Sequence, residues 1–91
     1  MEPDCAEAHN NLGVAWSKLP GRLEDAIVQY QETLRLDPDY APAWHNLETS
    51  LVELGDLPAA AAAFREELRL LPNDLAAQQA LSAVLQQAKG R

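Results

Sequence analysis

A single cysteine, Cys5, leaves nothing for an intrachain disulfide to join, and nothing in cysteine usage points to an oxidising compartment. Phe, Tyr and Trp are scarce, as are Val, Ile and Thr, so the β-branched and aromatic material that fills pleated sheets is largely missing. Ala, Leu, Glu and Gln dominate, and these favour helices. The expected class is all-α. Basic residues are few, 7 against 14 acidic, and the formal charge of −7 repels phosphate backbones and anionic head groups. Neither nucleic acid nor a membrane is an expected partner. No segment has the apolar length to cross a bilayer, and Met1-Glu2-Pro3-Asp4 lacks the basic stretch and apolar run of a secretory signal. A soluble, cytoplasmic chain is the reading. There is no Gly-rich phosphate loop, no nucleophile beside a base and no metal-ligand cluster at recognisable spacing, so neither catalysis nor a cofactor is expected.

What is present is a repeat. Pro3, Pro38 and Pro72 stand 35 and 34 residues apart, followed by Asp4, Asp39 and Asn73. On that period Ala8-His9-Asn10-Asn11-Leu12-Gly13 falls over Ala43-Trp44-His45-Asn46-Leu47-Glu48, and then over Ala77-Gln78-Gln79-Ala80-Leu81-Ser82. Ala26 and Tyr30 fall over Ala60 and Phe64. The extra residue of the first period sits in Lys18-Leu19-Pro20-Gly21, where Pro-Gly already marks a turn.

Helical spacing supports the same division. Ala8, Leu12, Ala15, Trp16 and Leu19 make one apolar stripe, and Ala43, Leu47, Leu51 and Leu54 another. Leu23, Ala26, Ile27, Tyr30, Leu34 and Leu36 mark a helix that must stop before Pro38, and Leu57, Ala60, Phe64, Leu68 and Leu71 repeat it. Five helices are predicted, over residues 5–18, 22–36, 40–54, 57–70 and 74–89, with short links that force antiparallel neighbours. Asp39 and Asp56 are candidate N-caps, with Pro42 and Pro58 in the first turns behind them. The last helix carries Gln78, Gln79, Gln86 and Gln87, the polar dress of a terminal cap at which the array ends.

Leu12, Gly13, Trp16, Ala26, Tyr30 and Pro38, then Trp44, Leu47, Leu51, Ala60, Phe64 and Pro72, resemble the tetratricopeptide repeat. The resemblance implies a right-handed α-solenoid of helix hairpins over one domain, 1–91, with repeats at 6–40 and 41–74 and a capping helix at 75–89. Departures from the pattern are His9 for the first aromatic, Glu48 for the Gly, and Thr33 and Glu67 for a small Ala. A residue as bulky as Glu48 is expected to widen its hairpin.

The resemblance also implies a concave groove lined by the first helix of each repeat, which binds a protein or peptide. Its expected residues are Asn10, Val14, Ser17, His45, Asn46, Thr49, Val52, Gln79 and Ala83. Val14, Thr49 and Ala83 should form a nearly neutral strip, and Asn10, His45 and Gln79 a hydrogen-bonding one. Chaperone-binding members of the family hold a terminal carboxylate with Lys, Arg and Asn; the matching places here are Asn10, Val14, Asn46, Ala76 and Ala80, of which only Asn46 fits. Carboxylate-clamp binding is therefore not expected. Cys5 and His9 share a helix face but lack a third metal ligand, and Glu24-Asp25 and Glu66-Glu67 read as solvated surface. The alternative function is a structural or self-associating unit, or an engineered minimal repeat scaffold with no dedicated ligand. Its route would be the alanine run Ala59–Ala63, making the chain a monomer or weak homodimer.

Overall fold

The computed structural model of the chain describes residues 5–90; Pro3 and Asp4, the first of the repeating marks, lie outside the described residues. The described residues form five α-helices and no strand: α1 (Ala6–Ser17), α2 (Leu23–Leu36), α3 (Ala41–Leu54), α4 (Leu57–Leu70) and α5 (Leu75–Lys89). The second helices begin at Leu23 and Leu57, 34 residues apart, and so do α3 and α5, at Ala41 and Leu75. Each helix packs on the next along the chain, and α1 also meets α3. The result is a slab of 44 × 32 × 15 Å.

The helix ends follow from local chemistry. Asp56 accepts from the Ala59 N–H at 3.2 Å and Asp74 from the Ala77 N–H at 3.1 Å, which satisfies donors left open in each first turn. Asp39 does not cap α3. The helix begins one residue later than expected, with Tyr40 in the cap position and no side-chain bond, while Asp39 donates its N–H to the Asp37 carboxylate. Gly55 ends α3 at φ 85°, and the N–H groups of Gly55 and Asp56 close back onto Val52 and Leu51. Only glycine takes that conformation at little cost.

The core runs along the seams between helices. Ala26 and Ala60, one period apart, are both fully buried, as is Tyr30 against α1. A methyl group added at Gly13 would lie 2.5 Å from Tyr30 Cε1, so glycine is what lets α1 and α2 close up. Gly13→Ala is expected to lower stability by about 1 kcal/mol net, since overpacking costs about 1 to 3 kcal/mol and helix propensity returns about 1. Urea denaturation midpoints check this, and a gain in stability would mean that Tyr30 yields freely.

Trp44 and Gln78, one period apart, make the same bond. The Trp44 indole Nε1 donates to the Pro38 carbonyl at 2.7 Å, and Gln78 Nε2 donates to the Pro72 carbonyl at 2.8 Å. His9, in the same register, turns to Gln29 Oε1 at 2.9 Å. Each ties the start of an odd-numbered helix to its surroundings, and Trp44 adds apolar burial.

Leu12 departs from expectation. It is 44% exposed, whereas its counterpart Leu47 is 5% exposed. Ala15 and Leu19 are also exposed. Leu47 lies over α2 of the preceding hairpin, beside Leu34; among the described residues no helix precedes α1 to cover the same stripe. The alanine run differs too, because Ala60, Ala61 and Ala63 are buried, Ala59 is half-buried and Ala62 alone of the five is exposed.

Candidate interaction groove

A cleft of about 640 Å³ lies between α3 and α5, floored by α4. Its walls are mostly apolar and small, including Val52, Ala80, Ala83 and Val84, with Phe64 below. Of the residues expected in the groove, His45, Thr49, Val52 and Ala83 line this cleft. Asn10, Val14, Ser17, Asn46 and Gln79 do not.

Asn10 is a correction. It is buried between α1 and α3, where its Oδ1 accepts from Asn46 Nδ2 at 3.1 Å. A polar side chain hidden from water must find a partner, and these two find each other. The two asparagines join neighbouring repeats through their side chains. Ser17 is exposed and bonds its own helix at the Val14 carbonyl, 2.7 Å away. Of the expected neutral strip, Thr49 and Ala83 line the cleft and Val14 does not; of the expected hydrogen-bonding strip, His45 lines it while Asn10 and Gln79 do not.

Four carboxyl groups outside the expected groove residues line the cleft: exposed Glu53, and a group of three, Glu48, Glu67 and Asp74. Glu67, expected on the surface with Glu66, is 4% exposed, as is Glu48. Glu66 does face solvent and pairs with Arg69. Glu48 and Glu67 stand where the first hairpin has Gly13 and Thr33. In that hairpin Thr33 donates to the Ala6 and Gln29 carbonyls and the helices close up; in the second, two acids occupy the space and α3 and α4 lie less tightly together. The looser packing of α3 on α4 lies in the direction expected from a residue as bulky as Glu48.

The three acids form a row, with Glu67 in hydrogen-bonding reach of Glu48 on one side and of Asp74 on the other. Burial, reinforced by the facing Glu67, pushes the Glu48 carboxyl up to about 9. Burial raises Glu67 as well. Asp74 goes the other way, held down by its bond from Glu67 and by the Ala77 backbone N–H. Of the three, Asp74 is the one favoured in its charged form, at the start of α5, where the helix N-terminus stabilises it. Among the described residues Glu48 Oε2 has no hydrogen-bond partner.

Among the described residues no set of three or more His, Cys, Asp or Glu side chains is arranged to hold a metal ion. No helix among them is long and apolar enough to cross a membrane.

Comparison with known proteins points the same way. The family profile described as TPR repeat matches residues 20–47. The tetratricopeptide repeat domain-containing protein PYG7, chloroplastic, of Arabidopsis thaliana is 32% identical over 88 residues, which is 97% of this chain and 29% of that protein. Protein FlbA of Caulobacter vibrioides is 35% identical over 91 residues, 98% of this chain and 15% of its own length. The chain thus spans less than a third of either curated relative. Five helices in a 34-residue rhythm, the repeated bond from Trp44 and Gln78 to a proline carbonyl, and these relatives together place the chain in the tetratricopeptide repeat family.

Proposed function

We propose that the chain is a protein-interaction module of two repeats, residues 6–40 and 41–74, closed by the helix at 75–89, and that it receives a peptide or partner helix in the cleft between α3 and α5. Tetratricopeptide repeats generally mediate protein–protein interaction. The observation that carries the finer reading is the cleft itself: an open, mostly apolar hollow of about 640 Å³ whose walls stand on helices, not loops. Walls fixed by helix packing lose little freedom when a ligand arrives, so binding pays a smaller entropic penalty. The work of the module is recognition and not catalysis.

Thr49→Arg tests the location. Thr49 is exposed and lines the cleft, so a long charged side chain there should change stability by no more than about 0.5 kcal/mol while filling the hollow. Wild-type and Thr49→Arg proteins are used as paired baits, and binding partners of the wild type are expected to be lost from the variant. Partners retained in full by Thr49→Arg must dock elsewhere.

A further inference from the structure

We propose that the cleft between α3 and α5 selects a peptide segment carrying an arginine or lysine, whose cationic head reaches the facing carboxyl groups of Glu48 and Glu67. The proposal rests on the groove reading above and names the chemistry of its occupant. The lining holds four acids, Glu48, Glu53, Glu67 and Asp74, and neither lysine nor arginine. The whole chain adds a formal −7. An approaching cation is therefore drawn in, and an acidic tail turned away.

The geometry is more specific than a field. Glu48 is more than nine-tenths buried, yet among the described residues its Oε2 has no hydrogen-bond donor. A buried acceptor left open in this way is costly, and a donor arriving through the cleft removes the cost. A guanidinium carries five N–H groups in a fixed fork suited to carboxylates, and an ammonium carries three. The aliphatic stem of either side chain can lie along Val52, Ala83 and Val84 on the cleft walls.

The other titratable groups at the cleft are Asp74 from the turn before α5 and His45 and Glu53 on the α3 rim; α5 itself contributes none to the lining. At neutral pH Glu48 holds its proton, because burial and the facing Glu67 favour its neutral form. A bound cation reverses that preference, so binding releases a proton to solvent and tightens as the pH rises.

The test uses a capped peptide, acetyl-Ala-Val-Arg-Val-Ala-amide, with twins in which citrulline or glutamate replaces the arginine. Each is titrated into the full chain while backbone amide NMR shifts are followed. The arginine peptide is expected to shift Thr49, Val52 and Ala83 and to bind about tenfold or more tighter than the citrulline twin. It should also tighten between pH 6.5 and 8, by no more than about tenfold per unit for one released proton. In the double variant Glu48→Gln, Glu67→Gln the preference for arginine should fall below about twofold. Equal binding of the arginine and citrulline peptides, or a preference that survives in the double variant, overturns the charge inference and leaves the groove reading standing. Absence of shifts at the cleft with all three peptides overturns both. Should the double variant fold poorly, the arginine-to-citrulline ratio on the wild type and on Glu67→Gln decides alone.

Discussion

Raising the pH from 5 to 8 is expected to weaken the fold by up to about 4 kcal/mol, at about 1.4 kcal/mol for each pH unit. Glu48 causes it. Its carboxyl sits at about 9 in the folded chain, against an ordinary value of 4.5 that the unfolded chain restores. The unfolded chain therefore sheds this proton first, and the stability tied to the neutral form is whole below 4.5 and lost progressively as pH climbs toward 9. Glu67, also raised by burial, pulls in the same direction. Asp74 acts at the other limit: its carboxyl is held below 3.8, so its contribution is lost only in stronger acid. Glu32 and Glu66, lowered by Arg35 and Arg69, likewise add no slope in the neutral range. A stability maximum in mild acid results. Urea denaturation of wild type and Glu48→Gln at pH 5, 6, 7 and 8 reads it directly. The wild-type midpoint should fall with pH and the variant should flatten the slope, crossing above wild type near neutrality. A wild-type curve indifferent to pH would place Glu48 in water.

Trp44→Ala is expected to cost about 3 to 5 kcal/mol, the range for losing a large buried aromatic. Against about 5 to 14 kcal/mol for a domain of this size, such a loss leaves a chain near its unfolding threshold at room temperature. Two contributions are mixed in that loss: apolar burial of an indole only 5% exposed, and the bond from its Nε1 to the Pro38 carbonyl. Trp44→Gln separates them, because Gln78 already makes the equivalent bond to Pro72. The glutamine variant should recover about 1 kcal/mol of the alanine loss. Thermal and urea denaturation of the three proteins give both differences. A melting curve for Trp44→Ala that overlays wild type would put the indole outside the core.

The helices were legible because their signals are local and doubled. Apolar spacing predicted five segments, proline and glycine marked their ends, and each feature recurred one period on; the observed bounds fall within one residue of those expected. The site was legible only in part. Thr49, Val52 and Ala83 could be placed by helix face alone. Asn10 could not, since its polarity says nothing about whether water or Asn46 answers it, and that depends on how closely two helices approach. Glu48 and Glu67 were each visible as departures from the repeat. What went unread was that both fall in the same hairpin, at the places where Gly13 and Thr33 lie in the first, so that the two departures meet across 19 residues of sequence. Leu12 was misread for a related reason: an amphipathic stripe shows which side is apolar, not whether a neighbour is there to cover it.

Asp74 belongs to two structures at once, the acid row of the cleft and the first turn of α5. Neutralising the row by a cation would loosen the pull of Glu67 on that carboxylate and free it to hold the Ala77 amide more firmly. Occupancy of the cleft would then be felt as slower hydrogen exchange at the Ala77 amide, in the opening turn of α5, as well as on the α3 wall that carries Thr49.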